Sequence, residues 1–168
     1  MTEIFDVVDE NDKTIGKASR EECHKKGLLH RIAHILVLNS KGDLLVQKRT
    51  QTMDTYPGLW SSSASGHVKS GDDYSETAKR ELEEELGIKS EVKEIGSVKS
   101  LDSSHMQMIK IFVAKNNGPF KLEKKEIEKA EFVNVKNLKE EIKSREKKTT
   151  PAFRIVFEKF CEAKEGTK

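Results

Sequence analysis

Apolar residues in the first 50 positions occur in the short runs, alternating or continuous, that are typical of β-strands. Four such runs lie at Ile4–Val8, 14–17, His30–Leu38 and Leu44–Arg49. Polar segments containing Asn and Asp separate the first run from the second and the third from the fourth, and these residues favour turns. The sequence therefore predicts two β-hairpins, one of which joins His30–Leu38 directly to Leu44–Arg49.

The apolar period lengthens to four residues between positions 73 and 86. Tyr74, Ala78, Leu82 and Leu86 form one stripe, and Gly87 follows where a helix would end. The clearest helix of the chain is therefore predicted here. Other helices are predicted at Arg20–Lys26, Val135–Lys143 and 152–163, and other strands at 93–101, 106–114 and Ile127–Val133.

Two segments carry less regular signals. Residues 61–66 have small side chains, which allow backbones to approach closely. The last predicted helix places Phe153, Val156, Phe157 and Phe160 along one face. The sequence leaves open whether this face packs on its own domain or on a second chain in a homodimer.

Charge and composition exclude several classes of protein. Charged residues are 36% of the 168 positions, yet 31 Lys and Arg nearly balance 29 Asp and Glu, which argues against binding to a nucleic-acid polymer. No apolar run approaches the roughly 20 residues of a membrane span, and the acidic N-terminal segment lacks the basic start of a signal peptide. We therefore expect a cytoplasmic protein, one domain over residues 1–168, with no membrane partner.

An acidic cluster on the clearest helix suggests chemistry. Glu81, Glu84 and Glu85 are spaced i, i+3 and i+4, so their carboxylates share a face and repel each other. Arg80 alone cannot neutralise them. Oxygen ligands of this kind suit a hard divalent cation such as Mg²⁺ or Mn²⁺. The alternative is an acidic helix face that is simply solvated.

Residues 66–88 resemble the Nudix box, Gly-x5-Glu-x7-Arg-Glu-U-x-Glu-Glu-x-Gly-U, in which U is aliphatic. The one departure is Asp72, which stands where the pattern has Glu and shortens the side chain by one methylene. The matching residues are Gly66, Arg80, Glu81, Leu82, Glu84, Glu85, Gly87 and Ile88. Eight of nine specified positions in a fixed frame make this a specific signal.

The resemblance implies an α/β fold of the Nudix type, an α/β/α sandwich with a mixed sheet between helices. It implies that Glu81, Glu84, Glu85 and the Gly66 carbonyl bind the metal and that Arg80 orients the glutamates. The implied reaction is hydrolysis of a small nucleoside diphosphate or its derivative by a metal-activated water.

The general base of that reaction is Glu81 or a later acid. Glu123, Glu126 and Glu128 lie in the charged region where many family members supply such a residue, and their spacing does not choose among them. We take Glu126 as the candidate.

Residues 4–133 also resemble the Nudix branch that contains isopentenyl diphosphate isomerase. The isomerases have a catalytic cysteine immediately before the Gly66-His67 pair, where this chain has Ser65, and a later acid where it has His105-Met106-Gln107. A serine cannot replace the thiol in that role at neutral pH. Isomerisation is therefore the alternative function, with a non-catalytic Nudix-fold binding module as a third reading.

His24, His30 and His67 fall near positions that hold a metal in the isomerases. Without the acidic partners of that site, we expect these side chains to be surface or hydrogen-bonded histidines. Substrate identity is expected to depend on loops around residues 50–59 and 101–106 and on the C-terminal helices.

Overall fold

The computed structural model describes residues 2–102 and 105–166. Within these residues it contains a nine-stranded mixed sheet and four helices. The strands are β1 (Ile4–Val8), β2 (Thr14–Ser19), β3 (His30–Leu38), β4 (Leu44–Arg49), β5 (Trp60–Ser61), β6 (Ala64–His67), β7 (Lys93–Asp102), β8 (His105–Lys115) and β9 (Ile127–Val133), and the helices are α1 (Arg20–Lys26), α2 (Tyr74–Leu86), α3 (Val135–Lys143) and α4 (Pro151–Glu165). Every predicted helix and strand is present, with ends that move by at most two residues.

Local capping explains where the two helices of the N-terminal half begin and end. Ser19 accepts a hydrogen bond from the Glu22 amide at 3.1 Å, and Glu22 accepts one from the Ser19 amide, which is the reciprocal capping box. Asp73 caps α2 by accepting from the Glu76 amide at 2.8 Å. Gly87 ends α2 with φ 67°, a left-handed conformation that favours glycine.

Strand β3 is the centre of the sheet. It pairs in parallel with β8 along its whole length, from His30 opposite Gln107 to Leu38 opposite Lys115. It also pairs antiparallel with β1 and with β6. Strand β4 pairs with β5 and β9 instead, so the sheet has two halves that meet at β3 and β4.

The predicted hairpin between β3 and β4 has the expected turn but not the expected pairing. Only Leu38 and Leu44, next to the turn, are paired, and the two strands then separate. The segment from β5 to β6 lies between them, with Ser63 accepting from the Val37 amide at 2.8 Å and donating to the Leu45 carbonyl. The small side chains of residues 61–66 therefore let this segment replace part of the ladder.

The two faces of the sheet are covered by different helices. Alternate β3 residues Ala33, Ile35 and Val37 pack in a cluster with Leu82 and Leu86 of α2. Their neighbours on the opposite face pack with the phenylalanines of α4: this second cluster includes Ile32, Leu36, Phe153, Phe157 and Phe160. The phenylalanine face is thus buried within the chain, and the α/β/α arrangement is confirmed.

In the part of the chain that the structure describes, no helix is long and apolar enough to cross a membrane.

We expect Ser63→Ala to destabilise the protein by about 1–3 kcal/mol, because the change leaves a buried amide and a buried carbonyl without their partner. The matched control is Ser40→Ala in the exposed turn after β3, which should change stability by less than about 0.5 kcal/mol. Urea denaturation of both variants measures the difference. Equal stabilities would mean that Ser63 does not hold the two halves of the sheet together.

Candidate active site

The site is built on a close contact between β6 and α2, formed by Gly66 and Glu81. A Cβ atom at Gly66 would lie 2.2 Å from Cδ of Glu81, so only glycine leaves room for this carboxylate against the backbone. The Glu81 side chain is 15% exposed. Burial raises the pKa of Glu81 to about 7, and the negative charge of Glu84 adds to the effect.

Glu85 is the most deeply buried carboxylate of the cluster, with 5% of the residue exposed. It accepts hydrogen bonds from Nε2 of Gln47 at 2.9 Å and from the amide of Ser65 at 3.0 Å. Burial and the neighbouring Glu81 raise the pKa of Glu85, and the two hydrogen bonds oppose this shift. Strands β4 and β6 therefore fix this side chain from both sides.

Arg80 lies among the acidic residues as the resemblance implied. Its guanidinium is 3.1 Å from Asp72, 3.7 Å from Glu81 and 3.8 Å from the exposed Glu84. The shorter Asp72 still reaches the arginine, so the departure from the box pattern does not remove this ion pair. One positive charge thus contacts three carboxylates.

Glu126, immediately before β9, lines the same cleft as Glu81, Glu84 and Glu85. Burial raises the pKa of Glu126, and the charges of Glu123 and Glu84 contribute. Glu123 and Glu128 are not among the residues that line the cleft. Glu128 instead pairs with Lys48 at 3.2 Å. The structure therefore brings Glu126, out of the three acids left open by the spacing, to the carboxylate cluster.

Positive side chains line the same cleft, among them Arg20, Arg49 and Lys69. Arg49 is held in place because its Nε and Nη2 donate to the Thr55 carbonyl at 3.0 and 2.8 Å. Burial lowers the pKa of Arg49, while the charges of Glu85 and Glu126 act to raise it. The cleft thus carries both signs of charge, as a site for a metal and an anion requires.

The segments expected to set specificity reach this cleft in part. Met53, Thr55 and Tyr56 of the first loop line it, as does Ala152 at the start of α4. His105 lines it from the second predicted loop, and residues 103 and 104 of that loop lie outside the described residues.

Gln47 and Arg49 are site residues that the sequence patterns do not reveal. The available signal is that Gln47 is a polar residue following the buried run from Leu44 to Val46 in β4. A polar side chain in a buried strand needs a partner, and the partner here is Glu85.

The histidines do not behave as expected, and two of the three, His24 and His67, line the cleft. His24, His30 and His67 converge so that one ring nitrogen from each lies within 4.8 Å of the others. The Nε2 atoms of all three are buried and make no hydrogen bond to the described residues. The expectation of surface or fully hydrogen-bonded histidines is therefore wrong for these nitrogens.

Each of these imidazoles is held uncharged near neutral pH. Burial lowers the pKa of His24 to about 4, and the charges of His105 and His30 lower it further. Burial also lowers the pKa of His67 strongly and that of His30. His34 is separate: its Nδ1 lies 2.7 Å from the Ser62 hydroxyl in the core, consistent with a structural role.

Comparison with known proteins gives concordant results. A family model described as NUDIX domain matches residues 28–153. A Nudix hydrolase of Pseudomonas aeruginosa, itself uncharacterized, is 38% identical over 143 residues, which are 84% of this chain and 85% of that protein. Isopentenyl-diphosphate Delta-isomerase 2 of Photorhabdus laumondii is 41% identical over 97 residues, which are 58% of this chain and 55% of that protein.

Among solved structures, that of DR0079 from Deinococcus radiodurans superposes with a TM-score of 0.78 at 20% identity, covering 92% of this chain and 97% of that one. At this identity the likeness concerns the fold alone.

The raised pKa of Glu81 predicts that the free energy of unfolding of the metal-free protein falls as the pH rises. A carboxyl whose pKa is higher in the folded than in the unfolded state contributes full stability below about pH 4.5 and loses it as the pH rises through about 7. Glu81→Gln cannot ionise, so its advantage in unfolding free energy over the wild type should grow by up to about 3 kcal/mol between about pH 5 and about pH 8.

Urea denaturation in the presence of a chelator measures this difference. Glu83→Gln is the matched control, because Glu83 is exposed on the same helix and forms a 3.8 Å ion pair with Lys89. Its difference from the wild type should stay flat over the same pH range. A flat difference for Glu81→Gln as well would contradict the raised pKa.

Proposed function

The chain belongs to the Nudix family of hydrolases acting on pyrophosphate bonds, and we propose that it cleaves the diphosphate bond of a small nucleoside diphosphate or nucleoside diphosphate derivative, using Mg²⁺ or Mn²⁺. The observation that carries the proposal is the carboxylate cluster of α2, which packs against Gly66 and lines the same cleft as Glu126. We also propose that the chain acts in the cytoplasm as one domain.

The donor set fits a hard divalent cation. Glu81 and Glu85 are carboxylates whose raised pKa values reflect burial near other negative charges, and such a cluster is relieved by a bound cation. Glu81, Glu84, Glu85 and the Gly66 carbonyl would hold Mg²⁺ or Mn²⁺, and the ion would supply charge neutralisation and a water of lowered pKa. Gln47 and the Ser65 amide orient Glu85 in this scheme.

The chain's own residues supply the rest of the reaction. Glu126 accepts the proton of the attacking water, a role that a partly buried carboxylate with a raised pKa can perform near neutral pH. Arg49, held by Thr55, binds the diphosphate oxygens and stabilises the charge that develops as the bond to phosphorus breaks. Arg80 keeps the glutamates in position through its ion pairs.

Isomerisation of isopentenyl diphosphate is less well supported. The residue before Gly66 is Ser65, and its amide is engaged by Glu85. A serine hydroxyl is far less acidic than a thiol and does not exchange protons with carbon at neutral pH. The similarity to an isomerase covers 58% of this chain, so this activity is included in the substrate panel below. A binding module without activity would not need the complete carboxylate set.

We expect Glu85→Gln to lower metal-dependent hydrolysis by more than about 100-fold, because it removes a ligand charge at the centre of the cluster. The measurement is chromatography of products from nucleoside di- and triphosphates, sugar nucleotides, dinucleotides and isopentenyl diphosphate. Circular dichroism checks the fold, and Glu83→Gln on the exposed side of α2 is the control.

A folded and fully active Glu85→Gln protein would show that the ligands are wrongly assigned. Release of a nucleoside monophosphate by the wild type would support the proposal. Conversion of isopentenyl to dimethylallyl diphosphate without hydrolysis would replace the proposal with the isomerase.

A separate pair of variants tests the general base. Glu126→Gln should lower kcat by roughly 100-fold or more with little change in KM, because the variant cannot accept the proton. Glu128→Gln, two residues later and paired with Lys48 outside the cleft, should stay near the wild-type rate. The reverse ranking of the two rates would assign the base to Glu128.

A further inference from the structure

The loop of residues 50–59 is held from two sides by neighbouring side chains. The Thr55 carbonyl accepts hydrogen bonds from Nε and Nη2 of Arg49 in β4 at 3.0 and 2.8 Å. The next residue, Tyr56, donates a hydrogen bond from its hydroxyl to the carboxylate of Asp102 at the end of β7. Strand β4 pairs with β9, whereas β7 pairs with β8, so this loop joins the two halves of the sheet.

The backbone at Tyr56 indicates that these contacts hold the residue in place. Its φ is 48°, in the left-handed region that bulky side chains rarely adopt. Such a conformation persists only where the surrounding contacts stabilise it. Gly58 also has a positive φ, of 73°, and a Cβ atom there would lie 2.5 Å from Nε2 of Gln51. The loop is therefore packed on itself, and Tyr56 is held in one position.

Tyr56 presents its ring to the cleft. The half-buried side chain is among those that line it. Its ring centroid lies 5.3 Å from that of His105, another lining residue, which stands opposite Asp102 in the pairing of β7 with β8. Burial raises the pKa of Tyr56 to about 12, and Asp102 adds to this shift, so the hydroxyl keeps its hydrogen at neutral pH. Because Asp102 engages the hydroxyl, the ring is the part of Tyr56 that is left to contact a substrate.

The cleft that Tyr56 lines is small. Its volume is about 270 Å³, below the roughly 300–1,000 Å³ of typical ligand pockets. A diphosphate bound at the carboxylate cluster and Arg49 would fill part of this volume. The cleft thus has room for one group attached to the phosphate chain and not for two. A nucleoside di- or triphosphate carries one such group, whereas a dinucleotide or a sugar nucleotide carries two.

We propose that Tyr56, held by Asp102, is a specificity-determining residue: its ring limits the cleft beside His105 and selects substrates with one group on the phosphate chain. The substrate class is then nucleoside di- and triphosphates rather than dinucleotides or sugar nucleotides. Asp102 is a positioning residue, since it acts through Tyr56. The inference rests on the proposed function, because it concerns the substrate of the same site.

The test compares ADP with diadenosine diphosphate, which differs from ADP only by a second adenosine. With Mg²⁺, the kcat/KM of the wild-type full chain should be at least about tenfold higher for ADP. Tyr56→Ala should lower this ratio at least about tenfold, because removal of the ring makes room for the second adenosine and lowers the KM of the dinucleotide. Leu101→Ala is the matched control: Leu101 precedes Asp102, is 61% exposed, and should leave the ratio unchanged.

A double-mutant cycle tests whether Asp102 acts through Tyr56. Tyr56→Phe and Asp102→Ala each remove the hydrogen bond and should each lower the ADP preference by about threefold or more. The double variant should lower it no further than either single one, because both remove the same contact. Additive effects would show that Asp102 does not position Tyr56.

Hydrogen exchange gives a readout that does not depend on activity. The amides of residues 50–59 should exchange faster in Tyr56→Phe and Asp102→Ala than in the wild type, because the loop loses one of its two attachments. Leu101→Ala should exchange like the wild type, and circular dichroism verifies that each variant is folded. Unchanged exchange in both hydrogen-bond variants would contradict the role of Asp102.

Two results would overturn the inference: a wild type that hydrolyses diadenosine diphosphate as well as ADP, or a folded Tyr56→Ala protein with the wild-type ratio. If the wild type hydrolyses neither compound, titration calorimetry with Mg²⁺ measures the binding of both. Tighter binding of ADP that is lost in Tyr56→Ala would then contradict the proposed function alone. Equal binding of the two compounds, or binding of neither, would overturn the inference as well.

Discussion

The burial of Glu85 between β4 and β6 is the interaction on which the site depends. A buried carboxylate is costly unless it is hydrogen-bonded, and Glu85 receives one hydrogen bond from Gln47 and one from the Ser65 backbone. The Ser65 amide lies beside Glu85 because β3 and β4 separate and admit the segment from β5 to β6. Ser63 stabilises the separated strands, because its hydroxyl accepts a hydrogen bond from the Val37 amide and donates one to the Leu45 carbonyl.

The position of α2 follows from the same arrangement. Its apolar stripe packs on β3 through Leu82 and Leu86, so its acidic face is turned toward the opening beside β6. Gly66 then allows Glu81 to lie against the backbone, where a methyl group would collide with the carboxylate. The core packing of α2 and the placement of its carboxylates therefore depend on the same orientation of the helix. A rotation of α2 would disturb both.

Most helices and strands could be predicted from short-range sequence patterns. The pairing of strands distant in sequence could not. Capping by Ser19 and Asp73 and the apolar stripe of α2 act within a few residues, so the helix boundaries were predictable. The turn after β3 was also visible, but the pairing beyond Leu38 and Leu44 depends on Ser63, almost 20 residues further on. The carboxylate cluster was predictable because one helix carries it. The roles of Gln47 and Arg49 were not, because Gln47 contacts Glu85 of a distant helix and Arg49 is held by an irregular loop through Thr55.

The convergence of the histidines also depends on contacts between residues that are distant in the sequence. His24, His30 and His67 come from three separate elements, so their sequence spacing alone gave no reason to expect their rings to converge. Yet Gly66 and His67 are consecutive in β6, so this strand contributes to an oxygen-rich cluster and to a nitrogen-rich one. Because Gly66 must lie against Glu81, β6 also fixes the next residue, His67, in its buried position. The placement of this histidine therefore follows from the same packing that places the carboxylates.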